Sequence, residues 1–330
     1  MAGQPVAMLV DLVADVFITG TPKRISREAP VLILSYQGER LTPGGGANAV
    51  ANVAALGGRP LPLGVVGDDP HGQGLLAELA ARGVTTEGIA MRPGYRTPTK
   101  VRILGGGKHS IKQQIVRYDI EETLELTADE RERFTRLLRS WSGAARVAIL
   151  SDYGYGTVEP AMLPQVRDAL GEGTTLIADS RYRLGGFAGL DGATPNEEEA
   201  EALLGSTIDD DPDRLEQAGR SLRERLGARF LLITRGSRGM SLFQPEVSAH
   251  LPVSGTDQVA DVTGAGDTVI GTFALALAAG ADPVEAALLA NYAGGVVVMK
   301  MGTATCSPEE LRRAVETDPR PLKELRWGRS

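Results

Sequence analysis

Asp261-Val262-Thr263-Gly264-Ala265-Gly266-Asp267 runs straight into Thr-Val-Ile-Gly-Thr-Phe-Ala-Leu-Ala-Leu-Ala-Ala, a stretch with the length and composition of a buried helix. Gly264, Ala265 and Gly266 therefore fall at a loop-to-helix junction, where a ligand can approach bare backbone. The first N–H groups of a helix have no internal acceptor, and the helix dipole adds partial positive charge there. Such an end is a socket for phosphate or for a developing phosphoryl charge. Asp267 stands beside it, placed to take a proton from an attacking hydroxyl. A second reading of the same residues is a plain helix start whose free amides are capped by an aspartate.

A glycine run near the other end of the chain favours the first reading. Pro43-Gly44-Gly45-Gly46-Ala47-Asn48 leads into a small-residue helical segment over 49–56. Consecutive glycines weaken local structure unless something must come close to the backbone. Asn48 offers a sugar both a donor and an acceptor. Gly44-x-Gly46-x-x-Ala49 also fits a loose dinucleotide fingerprint, but no strand immediately precedes the glycines. No P-loop pattern occurs.

Composition excludes several classes. The 330 residues suffice for one large α/β domain or two smaller ones, and 42% apolar content supports a sizeable core. A net charge of −7 argues against nucleic-acid binding. A lone cysteine, Cys306, forms no disulfide within the chain. His71, His109 and His250 are too scattered for a zinc site. The N-terminus lacks a signal-peptide pattern, and no apolar run reaches the roughly 18 residues of a membrane span. A soluble cytoplasmic protein with no membrane or nucleic-acid partner is expected.

Segment 6–10 reads as a buried strand, with Asp11 and Asp15 beyond its carboxyl end, where ligands bind in open α/β sheets. Asp15 suits a polyol hydroxyl, or a turn. Segments 16–18 and 31–34 read as short strands. Segments 100–104 and 115–118 alternate polar and apolar residues across Gly105-Gly106-Gly107, a hairpin with one wet face. Together these make a small sheet set apart from the main one. From Thr127, whose capping box with Glu130 opens a helix, helices and strands alternate. That alternation means a parallel sheet with helices on both faces. The tail over 318–330 reads as loose. No repeat or domain boundary is evident, so one domain over 1–330 is expected, with lid segments at about 16–37 and 96–118.

The two glycine motifs, with Asn196-Glu197-Glu198-Glu199 and Thr234-Arg235-Gly236 followed by Gly239, resemble the signatures of the ribokinase, or PfkB, carbohydrate kinase family. The resemblance covers residues 6 to about 316. Within the family, the branch acting on D-glycero-β-D-manno-heptose 7-phosphate is the most similar. It is carried by Arg24-Ile25-Ser26-x-Glu28-Ala29-Pro30-Val31, Thr99-Lys100-x-Arg102, Arg117-x-Asp119-x-Glu121-Glu122, Ser151-Asp152-Tyr153 and Gly302-Thr303-x-Thr305-x-Ser307-Pro308. Val10, Tyr155 and Thr272, and Ser180-Arg181 after Asp179, depart from the pattern. That branch is often fused to a nucleotidyltransferase; this sequence ends after the kinase motifs, and a stand-alone kinase is expected.

The resemblance implies a ribokinase-like fold: a central, mostly parallel sheet with helices on both faces plus a small β-sheet lid. It implies that Asp267 is the base for the anomeric hydroxyl, and that Gly264, Ala265 and Gly266 supply the anion hole. Asp15, Gly45 and Asn48 would hold sugar hydroxyls. Lys100, Arg102, Arg117, Arg24 and Arg181 are candidates for the sugar's phosphate. Asn196, Thr234, Gly236, Gly239 and Asn291 would line the nucleotide side. Glu199 would organise Mg²⁺ through water, and Asp261 and Thr263, near Gly302, would serve K⁺. ATP, Mg²⁺ and K⁺ are the implied cofactors, and a homodimer through the lid is the implied assembly. Two alternatives stay open: another sugar or sugar phosphate, and a non-catalytic sugar- or nucleotide-binding regulator.

Overall fold

The computed structural model describes residues 1–107, 112–255 and 259–329. Its strands are β1 (Pro5–Val10), β2 (Leu12–Ile25), β3 (Leu32–Gly45), β4 (Arg59–Gly67), β5 (Ile89–Arg92), β6 (Thr99–Gly105), β7 (Gln113–Ile120), β8 (Val147–Asp152), β9 (Thr175–Ser180), β10 (Gly192–Ala193), β11 (Phe230–Thr234), β12 (Met240–Phe243), β13 (Val247–Leu251) and β14 (Arg326–Arg329). Its helices are α1 (Gly46–Ala55), α2 (Pro70–Ala81), α3 (Ala128–Trp141), α4 (Leu163–Leu170), α5 (Glu197–Leu204), α6 (Pro212–Leu226), α7 (Ala265–Ala278), α8 (Pro283–Val297), α9 (Pro308–Thr317) and α10 (Arg320–Lys323).

Ten strands form one sheet, ordered β14-β13-β12-β11-β10-β9-β8-β1-β4-β5. The run from β11 to β5 is parallel, and β12, β13 and β14 extend it antiparallel. The apolar run of β1 shows why it is central. Val6, Met8 and Val10 join the apolar cluster on one face, and Ala7 and Leu9 join the cluster on the other. A strand buried on both sides must be apolar throughout. Helices α1, α7 and α8 cover the first face, and α3, α4 and α6 the second. Phe273 of α7 meets Phe230 of β11 edge-on, centroids 5.4 Å apart. Full burial of one such ring stabilises by up to about 3 kcal/mol.

The chain leaves this sheet at a single residue, Asp11, and enters a second sheet ordered β3-β2-β6-β7. Here β2 and β3 pair antiparallel, β2 and β6 parallel, and β6 and β7 antiparallel. The expected small sheet is therefore present, but β2 and β3 are 14 residues each, not short strands. The outer part of β2, around Lys23 and Arg24, is exposed and polar, so pairing with the apolar 32–34 segment of β3 extends it without an apolar pattern of its own. The tip of the β6–β7 connection, with His109, lies outside the described residues.

Two further differences concern polar segments. The tail is not loose, since α10 and β14 form and β14 pairs antiparallel with β13, Ala249 opposite Trp327. An edge strand offers free backbone groups to any extended segment, whatever its side chains. The glycines at 44–46 do follow a strand, for β3 ends at Gly45 and α1 begins at Gly46. That strand belongs to the small sheet, so the dinucleotide reading of the motif lapses.

Candidate active site

The carboxyl ends of the parallel strands and the base of the small sheet face one cavity of about 850 Å³. Gly264, Ala265, Gly266 and Asp267 form one wall, and Asp15, Gly45, Lys100, Arg102 and Arg117 come from the small sheet. Thr263, Asn196, Glu199 and Thr234 line it as well. Residues more than 250 positions apart in sequence thus share one space.

Asp267 is placed by the backbone. Gly264 caps α7 with φ 76°, a left-handed conformation costly for other residues, and no side chain caps that end. A Cβ on Gly264 would stand 2.4 Å from Asn48 Nδ2. The third residue of α7 is then Asp267, 3% exposed. Its Oδ1 accepts from Tyr153 Oη at 2.6 Å and its Oδ2 from Asn48 Nδ2 at 3.1 Å. Burial pushes its carboxyl up to about 7, against hydrogen bonds from Tyr153 and Asn48 that pull it down. Nearby Asp15 adds to the rise, and Lys100 opposes it. A base titrating there is half ionised at neutral pH, which suits proton abstraction. Beside it, the Ala265 amide turns back to Val262 O at 3.2 Å, so it is a poorer anion donor than the sequence suggests. Gly266 meets only open space where a Cβ would be.

Asn48 departs from expectation. It is 1% exposed, and its amide is committed to Gly264 O and Asp267, while its Oδ1 accepts from Asn52 Nδ2. It brackets Asp267 from α1, its Nδ2 is directed at two protein acceptors, and it is absent from the cavity lining.

The basic residues divide. Arg102, 8% exposed, forms an ion pair with Asp15, 2% exposed, and lies over the Phe17 ring. Burial raises the Asp15 carboxyl, and Arg102, Lys100 and Arg117 oppose that rise. Arg117 is forked onto Asp119, with Nε to Oδ1 at 2.7 Å. Arg24 is exposed and lies outside the cavity lining. Lys100 and Arg181 make no ion pair among the described residues, and rest near the Tyr153 and Tyr182 rings. These two also line a smaller adjoining cavity of about 410 Å³ with Arg117, Tyr153 and Tyr182.

Asn196 and Glu199 form a reciprocal capping box at the start of α5. One Glu199 oxygen is thereby used, and the residue still lines the cavity. Asp179, unassigned in sequence, lines the same wall. Burial, then the carboxyls of Glu199, Asp267 and Asp152, push it well above the usual carboxylate range. Two raised acids facing one space make a site that a cation would relieve. Thr194 Oγ1, buried there without a partner among the described residues, is a third oxygen. Hard oxygen ligands of this kind suit Mg²⁺.

Other expected residues stand elsewhere. Asp261 accepts from Thr263 N and Oγ1 on one oxygen and from Gly302 N on the other, tying the turn before α7 to residue 302. Burial would raise its carboxyl, but these hydrogen bonds hold it below the usual range. Asp261 lies outside the main lining and borders a separate cavity of about 580 Å³. Gly236 and Gly239 shape the turn between β11 and β12, and a Cβ on Gly239 would sit 2.0 Å from Leu251 O. Asn291, 3% exposed, donates to Pro252 O at 2.7 Å and braces α8. None of these three lines the main cavity. Besides Asp179, Tyr153 is a site residue to which sequence reasoning gave no role of its own. Its place just after β8 was the available signal. Among the described residues, no helix is long and apolar enough to cross a membrane.

The profile described as pfkB family carbohydrate kinase matches residues 8–310. Bifunctional protein HldE of Mesorhizobium japonicum is 40% identical over 318 residues, covering 95% of this chain and 62% of that protein. HldE of Nitrosococcus oceani is 40% identical over 329 residues, covering 96% and 65%. The chain thus spans less than two thirds of the length of these relatives. Phosphofructokinase-2 from Escherichia coli, in complex with substrates and products, superposes with TM-score 0.77 at 19% identity, covering 95% of this chain and 98% of that one. Arabidopsis thaliana ribokinase complexed with ribose and ATP gives 0.73 at 22% identity, covering 96% and 99%. The fold is ribokinase-like, and the chain belongs to the pfkB family of carbohydrate kinases, phosphotransferases that act on a sugar hydroxyl.

Proposed function

We propose that this kinase transfers the γ-phosphoryl group of ATP to the anomeric hydroxyl of D-glycero-β-D-manno-heptose 7-phosphate. The observation that carries the reading is that a buried base shares its cavity with two cations that are not tied up in a direct ion pair. Asp267 opens onto the same cavity as Lys100 and Arg181, neither of which has an ion-pair partner among the described residues. Cations with no direct ion pair beside a sugar site suit a substrate that brings its own phosphate.

Asp267 accepts the hydroxyl proton as the oxygen attacks. The uncapped start of α7, with Gly264 and Gly266, faces the charge on the transferred group. Removal of one such donor costs about 3 kcal/mol of barrier. Asp15, fixed by Arg102, and the bare backbone at Gly45 receive sugar hydroxyls. Lys100 and Arg181 take the phosphate of the substrate, with Arg117 beside them. Glu199, Asp179 and Thr194 hold Mg²⁺ largely through water, and Thr234 borders the nucleotide. Bound Mg²⁺ neutralises charge on the phosphates. A monovalent cation near Asp261 and Thr263 is part of the proposal.

The four-stranded sheet acts as a lid that excludes water, the competing acceptor. We take residues 1–330 as one catalytic unit acting in the cytoplasm, where ATP is available. Ile25, Val31 and Tyr36 leave an apolar face on the lid exposed, and a second copy of the chain covers it. Tyr36→Glu then yields monomers in sedimentation, and an unchanged mass rejects the lid as interface.

A coupled ADP-release assay over heptose 7-phosphate, fructose 6-phosphate and unphosphorylated sugars tests the substrate. Heptose 7-phosphate gives the highest kcat/KM. Preference for another sugar phosphate, or reaction with unphosphorylated sugars alone, rejects heptose 7-phosphate and selects the second reading.

A further inference from the structure

We propose that Tyr153 is a positioning residue for the transfer: its hydroxyl holds the Asp267 carboxylate in the orientation that faces the cavity, and it acts only through Asp267. The proposal rests on Asp267 being the base.

The tyrosine is itself held on three sides. Its backbone is pinned from the link between β1 and β2, because Asp11, fully buried, accepts from Tyr153 N and Tyr155 N on one oxygen and from Thr157 N on the other, each at 2.9 Å. Its ring lies against bare backbone, for a Cβ on Gly45 would stand 3.3 Å from Tyr153 Cε2. Lys100 Nζ lies 5.4 Å from the ring centroid. The hydroxyl then reaches Asp267 Oδ1 at 2.6 Å, while Asn48 takes the opposite oxygen. A carboxylate has acceptor capacity for about four hydrogen bonds. Two donors, one on each oxygen, leave the remaining lone pairs for a substrate hydroxyl. Rotation of the carboxylate would break both bonds at once.

Burial, then the carboxyls of Asp267 and Asp179, push the Tyr153 hydroxyl well above its ordinary value, so it remains a donor. It favours the ionised form of Asp267, which burial disfavours. The other charged groups around the pair are Asp15 from β2, Lys100 from β6, and Asp179 and Arg181 from the end of β9.

Tyr153→Phe keeps the ring against Gly45 and removes the hydroxyl. With ATP, Mg²⁺ and heptose 7-phosphate, kcat falls roughly 10- to 100-fold, the scale of a misplaced reacting group. The KM for the sugar phosphate stays close to the parent value, and the acid limb of the kcat–pH profile moves to higher pH. In the ligand-free protein labelled with ¹³C-aspartate, the Asp267 carboxyl titrates at higher pH than in the parent. On an Asp267→Asn background, Tyr153→Phe costs nothing further. Unchanged kcat and titration would reduce Tyr153 to packing and overturn the proposal. So would a raised KM at parental kcat, which marks a direct sugar contact, or a further loss on the Asp267→Asn background. Asp267→Asn alone at parental turnover overturns the base assignment itself, before Tyr153 is considered.

Discussion

Asn48 Nδ2 donates to Asp267 Oδ2 at 3.1 Å, joining the start of α1 to the start of α7 across 219 residues of sequence. Both glycine motifs exist around this contact. Gly46 lets α1 close on β1, where a Cβ would stand 2.6 Å from Val10 Cβ, and Gly264 leaves room for the Asn48 amide.

Replacement of Asn48 tests the bracket. Asn48→Asp sets a second carboxyl against Asp267, and like charge disfavours ionisation. The acid limb of the kcat–pH profile then moves upward and kcat at pH 7 falls. Asn48→Ala lowers kcat about tenfold, the loss of one hydrogen bond to a charged group. A variant whose main defect is a weakened sugar KM would restore the expected sugar contact.

The Asp15–Arg102 pair is a buried ion pair. Arg102→Met strands the Asp15 carboxylate, and breaking such pairs costs about 3–5 kcal/mol. Urea unfolding at pH 7 measures it. Asp15→Asn combined with Arg102→Met recovers part of the loss. A single Arg102→Met with parental stability would mean that water reaches Asp15.

Lys100→Met and Arg181→Met each raise the KM for the sugar phosphate roughly 10- to 100-fold, as expected for a charge-assisted hydrogen bond of about 1.5–3 kcal/mol. Arg24→Met leaves it unchanged, since that residue stands outside the cavity. Steady-state kinetics with varied sugar phosphate decides. Equal effects of all three would point to long-range charge instead of contact.

Asp267 also leaves a signature in stability. Its carboxyl lies at about 7 in the folded protein against an ordinary 3.8. The folded state therefore binds this proton more tightly than the unfolded state. The resulting stability is fully present below about pH 4 and is lost as pH rises to about 7. Asp267→Asn does not ionise, so its stability relative to the parent grows between pH 4 and pH 8, by up to about 4 kcal/mol. Denaturant curves at the two pH values test this. A pH-independent difference would place the Asp267 titration outside that window.

Much of this was legible before any coordinates. Val6 to Val10, apolar without interruption, marked a strand buried on both faces, and the two glycine motifs marked the site. Asn48 and Asn291 bond within the protein, a role that sequence did not separate from ligand binding. An amide beside a small-residue motif looks the same in sequence whether it serves a ligand or the protein, and only its partners, Asp267 and Pro252 O, distinguish the two. Arg102 and Arg117 were likewise indistinguishable from Lys100 until Asp15 and Asp119 were found beside them. Pairings such as β14 with β13 rest on backbone groups at a sheet edge and leave no side-chain period to read.

The most direct measurement is turnover of Asp267→Asn with ATP, Mg²⁺ and the sugar phosphate, alongside calorimetric ATP binding. A thousandfold or greater loss of kcat is expected, on the order seen when a base acting with positioned charge is removed, with ATP affinity retained. Turnover at the parental rate would contradict the account, because the buried carboxylate would then take no part in moving the proton.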